Sequence, residues 1–333
     1  RSPPALSRFL ASLGGLPSVE ARADASLADV AGSAVASLLS SSERYRPCGA
    51  AVRDGFDEEH RAASLAWMIG AFEGLQFTDG VLFDASLLLD RYYASAPCRD
   101  AAGPAGGAAM RRRLLAAVCL ALKVGLPEDT HLPVRQLVAH LASGQVSFDD
   151  VLAGELDVLE RLRFCVGTPT AWDLLRTLGA RALLECGRDC ECLADFLLHL
   201  TLEDACLHYG YTHAVVAASC LLLSLNATSA PFGAYTVLFE DLGAVLADEA
   251  LPVAQVLSCC SEVRSAWERS RCLEHQAGAT AGYAERVRAK FTQATRGRVA
   301  LAVELPEGPV APEVFPPASR PPAPRAPPAR CAA

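Results

Sequence analysis

The sequence predicts an all-α protein made of two tandem five-helix repeats with flanking N- and C-terminal helices. Three observations predict it. Ala and Leu dominate, aromatics make up 7% of the chain and Val/Ile/Thr runs are few, a balance that favours helix over strand. Leu114–Leu122 is apolar on every side, which suits a helix in the middle of a helical packing and is too short to span a membrane. That run, Leu-Leu-Ala-Ala-Val-Cys-Leu-Ala-Leu, is echoed 101 residues later by Val215–Leu223, Val-Val-Ala-Ala-Ser-Cys-Leu-Leu-Leu. Each copy is followed by a helix-breaking segment and another amphipathic helix, the mark of an internal duplication.

The elements follow in order. Residues 1–26 are Pro/Gly-punctuated and predict no regular structure, and 27–42 predict a short helix that Tyr45-Arg46-Pro47 breaks. Asp57-Glu58-Glu59 opens a helix over 57–75, with acids in the first turn where the macrodipole favours them. Thr78-Asp79-Gly80 leads into a helix over 79–95, with Leu82, Ala85, Leu88, Leu89 and Tyr92 at helical spacing. Residues 96–109 read as a loop, and the central helix comes next. A short helix over 133–143 precedes a long one, capped at Ser147 and reaching Phe164. Gly167-Thr168-Pro169-Thr170 is a hinge. The second repeat predicts helices over 170–185, 190–208, 212–226, 235–243 and 249–271, followed by a last helix over 282–293. A Pro-rich tail from about 305 has too little apolar surface to form a core and should be disordered or polyproline-like. The expected domains are 1–55, 56–166, 167–273, 274–301 and 302–333.

Bulk chemistry narrows the function. A net charge of −8 disfavours a general nucleic-acid binder, which needs a basic face to neutralise phosphates. Many of the 13 cysteines lie inside apolar runs and no secretory leader is readable, so reduced, buried thiols are expected. The first residue is Arg, so the chain is expected to be a fragment of a longer protein. No membrane span is readable. Cys186, Cys190 and Cys192, with Cys206, His199 and His208, match no zinc spacing, and no metal is expected. No Lys-Ser/Thr follows Gly103-Pro-Ala-Gly-Gly107, so it is no phosphate loop, and no nucleophile motif is readable. The chain is therefore expected to be neither an enzyme nor a cofactor carrier.

Lys123 is the residue that stands out. It is one of two lysines against 28 arginines, and it ends the central helix. A lysine there offers a compact point charge where a planar guanidinium would not. At the mouth of an apolar helix it must find carboxylate or carbonyl partners. In the second copy its counterpart is Ser224.

Several stretches resemble the cyclin family. His60-Arg-Ala-Ala-Ser-Leu-Ala-Trp67 resembles the Met-Arg-Ala-Ile-Leu-(Val/Ile)-Asp-Trp opening of the cyclin box, and Leu87-Leu-Leu-Asp-Arg-Tyr-Tyr-Ala-Ser95 its Tyr-Leu-Asp-Arg-Phe-Leu-Ser. Leu120-Ala-Leu-Lys123 resembles the box's Leu-Ala-Ser-Lys; Glu155, Leu159 and Phe164 resemble its Met-Glu…Leu…Leu-x-Phe, and Gly167–Thr170 its following Pro-Thr. Leu193–Leu202 and Ala284–Phe291 are similar to the second box and the C-terminal Ile-Arg-x-Lys-Tyr segment of mitotic A/B-type cyclins. The resemblance covers roughly residues 27–301.

It implies two cyclin boxes and a non-catalytic activator that forms a heterodimer with a cyclin-dependent serine/threonine kinase in cell-cycle control, in the nucleus, the cytoplasm or both. In the family the first box packs on the kinase's regulatory helix, and a Lys and a Glu of the box hydrogen-bond kinase backbone. The matching residues are Lys123 and Glu155, with Phe164 the matching apolar contact. Arg61 and Asp90 match a structural pair that ties two helices together. The family's substrate-docking patch falls on His60, Ala63, Ser64, Trp67 and Gly70, where most of its apolar area and its acid are gone, so weak or altered Arg-x-Leu docking is expected. The acids that follow the family's Lys are replaced by Val124-Gly125. The retinoblastoma-binding motif of D-type cyclins is absent, since Leu184-Glu-Cys-Gly-Arg188 fails at its last position. Two other readings compete: a cyclin-like scaffold that binds a partner without activating it, and an adaptor resembling general transcription factor B, against which the acidic charge counts.

Overall fold

The structure is a computed structural model. It describes residues 28–95, 104–125, 133–245, 253–272 and 282–306. Among these there is no strand. The helices in order are α1 (Ala28–Tyr45), α2 (Gly49–Gly55), α3 (Glu58–Leu75), α4 (Asp79–Ala94), α5 (Pro104–Gly125), α6 (Val134–Ala142) and α7 (Phe148–Arg161). The second half supplies α8 (Ala171–Ala182), α9 (Arg188–Thr201), α10 (Ala205–Gly210), α11 (His213–Ala227), α12 (Phe232–Val245) and α13 (Val253–Cys272). Then come α14 (Tyr283–Phe291) and α15 (Val299–Ala302). Short 3-10 turns follow α8 and α14.

The two apolar runs occupy the two centres. Leu114–Leu122 on α5 is buried throughout, and α5 packs against α4, α6 and α7. Val215–Leu223 on α11 is buried throughout, and α11 packs against α8, α9, α12 and α13. A helix with no polar stripe has no face to give to water, so its neighbours must surround it. Small residues at Ala116, Ala117, Ala217 and Ala218 let them approach closely. Thr170 starts α8 with a reciprocal cap: its hydroxyl accepts from Asp173 N, and the Asp173 carboxylate accepts from Thr170 N at 2.8 Å.

Among the devices that join the halves are three helices. Helix α1 leaves the first group and packs on α8, α11 and α12, where Ser42 Oγ lies 2.8 Å from His213 Nδ1. Helix α2 is a wedge between α4 and α10. It fits because Gly49 and Gly55 carry no side chain. A Cβ on Gly49 would lie 2.6 Å from the Ala205 carbonyl oxygen, and one on Gly55 would run into that of Tyr93. Helix α14 lies across α3 and α9. Its Lys290 pairs with Asp79 at the start of α4, and Arg296 reaches the same carboxylate at 3.0 Å.

Beside that carboxylate, His199 is fully buried among Phe83, Trp172 and Phe291. Its Nδ1 donates to the Asp195 carbonyl at 2.7 Å, and its Nε2 lies 3.8 Å from Asp79. Burial, with the cations Lys290 and Arg296, pushes the imidazole down to about 3, against the pull of Asp79. The folded state therefore holds it neutral while an unfolded chain protonates it near 6.5. The unfolded state binds the extra proton between those values, so stability is lost as pH falls from about 6.5 towards 3. One such imidazole contributes a slope of about 1.4 kcal/mol per pH unit between pH 6 and 4. Urea unfolding at several pH values should show His199→Asn with a dependence shallower by one proton. An unchanged slope would contradict the assignment.

Several elements differ from the sequence-based expectation. The expected helix 190–208 is two helices. Its break at Leu202–Asp204 is held from outside, because Arg61 Nη1 takes the carbonyls of Leu202 and Glu203 at 2.7 and 3.2 Å, and from inside, because Asp204 caps α10. Residues 104–109, expected as loop, are the first turns of α5. Pro104 tolerates the first helical position because the N–H it lacks would be unpaired there anyway. The long helix ends at Arg161 and does not reach Phe164. Helix α8 ends at Ala182. The expectations for residues 1–26 and for the Pro-rich tail beyond residue 306 lie outside the described residues.

Candidate functional site

Helix α7 is set by a reciprocal cap, in which Asp150 N donates to Ser147 Oγ at 3.1 Å and Ser147 N donates to the Asp150 carboxylate at 3.1 Å. The cap fixes which residues face inward. Val151, Gly154 and Val158 are buried, and a Cβ on Gly154 would press on Arg112 and Ala116 of α5. That close contact brings the Glu155 carboxylate to the end of α5. Lys123 Nζ donates to both Glu155 oxygens at 2.6 Å. The Glu155 side chain is 9% exposed and that of Lys123 37%, so the pair is closed on the protein side and open at the lysine. Lys123 also sits in the last turn of α5, where a cation meets the negative end of the dipole.

Around this pair the surface is apolar. Leu152 and Leu156 flank Glu155 at helical spacing on α7, and Val124 follows Lys123 on α5; all three are exposed. After α7 the chain turns through two left-handed residues, Arg163 and Phe164, at φ 53° and 59°. Such a conformation costs on the order of 1–3 kcal/mol at a non-glycine position and persists only when the surroundings impose it. Here Phe164 N donates to Leu159 O at 2.7 Å, and Arg91 holds the Cys165 carbonyl at 2.7 Å. The turn leaves Phe164 64% exposed. The chain then runs beside the end of α5, since Val124 Cγ1 lies 3.4 Å from a Cβ placed on Gly167. The ion pair is thus framed along the chain by exposed Val124 on α5, Leu152 and Leu156 on α7, and Phe164 on the turn after α7. Sequence reasoning picked out the pair and Phe164 but missed Val124, Leu152 and Leu156. A signal existed: α7 carries a second apolar stripe beside the Val151/Val158 stripe that α5 covers.

In the second half the positions matched to Lys123 and Glu155 are buried. Ser224 Oγ donates to Leu221 O at 2.8 Å, and Cys260 lies in the core.

Arg61 and Asp90 are buried together, with Arg61 Nε and Nη2 donating to the two Asp90 oxygens at 2.8 and 2.9 Å. Tyr209 of α10 donates to the same carboxylate at 2.8 Å, so the pair bridges the halves as well as α3 and α4.

The five positions of the opening helix do not make one surface. Ser64, expected to face outward, is buried, its Oγ donating to the His60 carbonyl at 2.8 Å. His60 is exposed and pairs with Asp57 at 2.9 Å. Ala63 is exposed, and Trp67 is half-buried against the cluster of Leu115, Cys119 and Val151. Gly70 lies under α14, where a Cβ would meet Arg286 Nη1 at 2.9 Å.

Residues 35–167 match the family model described as Cyclin, N-terminal domain. The chain carries a cyclin N-terminal domain. The match runs from within α1 to the hinge before α8 and so contains the whole framed ion pair. Cyclin domains are regulatory and generally bind kinases. No curated protein gives a significant match to the chain. Among the described residues, no helix is long and apolar enough to cross a membrane, and no group of three or more His, Cys, Asp or Glu residues could hold a metal. Cys190 and Cys192 lie in the core, and His208 Nδ1 lies 2.8 Å from Thr201 Oγ1.

Proposed function

We propose that this cyclin-domain protein is the regulatory subunit of a cyclin-dependent serine/threonine kinase, acts in cell-cycle control, and works in the nucleus, the cytoplasm or both. The observation that carries the reading is the Lys123–Glu155 pair framed by exposed Val124, Leu152, Leu156 and Phe164. An apolar rim around a preformed charge pair suits a protein partner. The rim supplies buried area, and Lys123 keeps donors for partner carbonyls while Glu155 fixes its direction. The second half, whose matching positions are buried, acts as a second box that supports the first. The altered helix-α3 positions favour weak docking of basic Arg-x-Leu substrates, because no acid stands at Gly70 and Ser64 faces inward.

The test is co-purification of the chain with a panel of cyclin-dependent kinases, followed by phosphotransfer assays. Wild type should bind and stimulate at least one. Lys123→Glu/Glu155→Ala should weaken that complex by on the order of tenfold or more, as loss of a partly desolvated charge contact does. Binding without stimulation would replace this reading with the non-activating scaffold. Binding to no kinase would overturn it.

A further inference from the structure

Asp84 lies on α4 where α4 meets the end of α5. Gly125, the last residue of α5, is exposed and has no side chain, and the Asp84 Oδ2 is 3.7 Å from where its Cβ would be. Among the described residues, no hydrogen bond or ion pair satisfies the carboxylate. The charge that acts on it is that of Asp173, at the start of α8, and that residue is already committed to its cap with Thr170. The carbonyls ending α5 add further negative potential. This spot is two residues from Lys123, on the same end of α5 as the exposed Val124. It thus combines a half-desolvated carboxylate, a like charge and a helix C-terminus, and among the described residues no cation acts on that carboxylate.

We propose that Asp84 pairs with a lysine or arginine of the bound kinase, which reaches it through the gap Gly125 leaves at the end of α5. The inference rests on the kinase-binding reading above and makes Asp84 a determinant of which kinase binds. The chain offers a carboxylate here from α4, where the resemblance placed acids on the helix end itself. Burial, and secondarily Asp173, hold Asp84 up at about 7 in the free protein. A partner cation favours the ionised form and lowers that value, so binding is linked to loss of a proton. Affinity should then rise with pH across the neutral range.

The experiment is calorimetric titration of wild-type full chain and Asp84→Asn against the same kinase panel at pH 6, 7 and 8. Wild type should bind more tightly at pH 8 than at pH 6, and Asp84→Asn should bind about tenfold more weakly at pH 8 with no such rise. Gly125→Leu, which fills the gap and leaves Asp84 in place, should weaken binding similarly, and it decides the matter if Asp84→Asn fails to fold. Equal binding by wild type and both variants at pH 8 would overturn the role of Asp84 alone. Wild type binding no kinase would overturn the kinase reading and this inference with it.

Discussion

Replacing Arg61 with methionine should destabilise the protein by about 3–5 kcal/mol, the range for stranding one partner of a buried ion pair. Arg61 supplies both bonds that compensate Asp90 from the cation side, at 2.8 and 2.9 Å, and it satisfies the carbonyls of Leu202 and Glu203. The substitution leaves a buried carboxylate with Tyr209 as its remaining donor and removes what pins the break between α9 and α10. Urea unfolding would measure the loss. Arg61→Met/Asp90→Leu should recover part of it, because an apolar pair strands no charge, although the two carbonyls remain unpaired. A loss under about 1 kcal/mol for the single variant would show that water or rearrangement replaces the arginine.

The second large effect falls on binding and leaves the fold alone. Leu156 is 52% exposed and Leu152 42%, so neither contributes much to the core. Leu152→Asp/Leu156→Asp should leave the unfolding free energy within about 1 kcal/mol of wild type, as surface substitutions usually do. Kinase binding should weaken about a hundredfold, a loss of roughly 3 kcal/mol that suits two apolar contacts replaced by charges beside Glu155. Calorimetry and urea unfolding on one preparation would separate the two readouts. Unchanged binding would remove α7 from the interface.

Much of this could be read from the sequence, and the limits have physical causes. The two central helices were legible because a run apolar on all sides has one stable place, the interior. Lys123 was legible through its rarity and position. The expectation that α9 runs on to residue 208 failed because its end is set by Arg61, 141 positions away, and local periodicity carries no such information. Helix α2 escaped notice because two of its seven residues are glycines chosen for close approach to other helices, at the expense of helix propensity. Leu152 and Leu156 escaped for another reason. An apolar stripe looks the same in sequence whether the chain covers it or leaves it open. Only the packing of α5 against Val151 and Val158 shows which stripe is taken.

Lys290 lies 211 positions after the carboxylate it neutralises. A ribosome adding roughly 5–20 residues per second takes about 10–40 s to cover that distance. Throughout that interval Asp79 has been made but the cation of α14 that pairs with it has not. The first half of the nascent chain can gather its helices but cannot bury that carboxylate at its final cost. Docking of α14 onto the first half is therefore postponed until residue 290 has been made, so the first half emerges well before the contact that completes its burial.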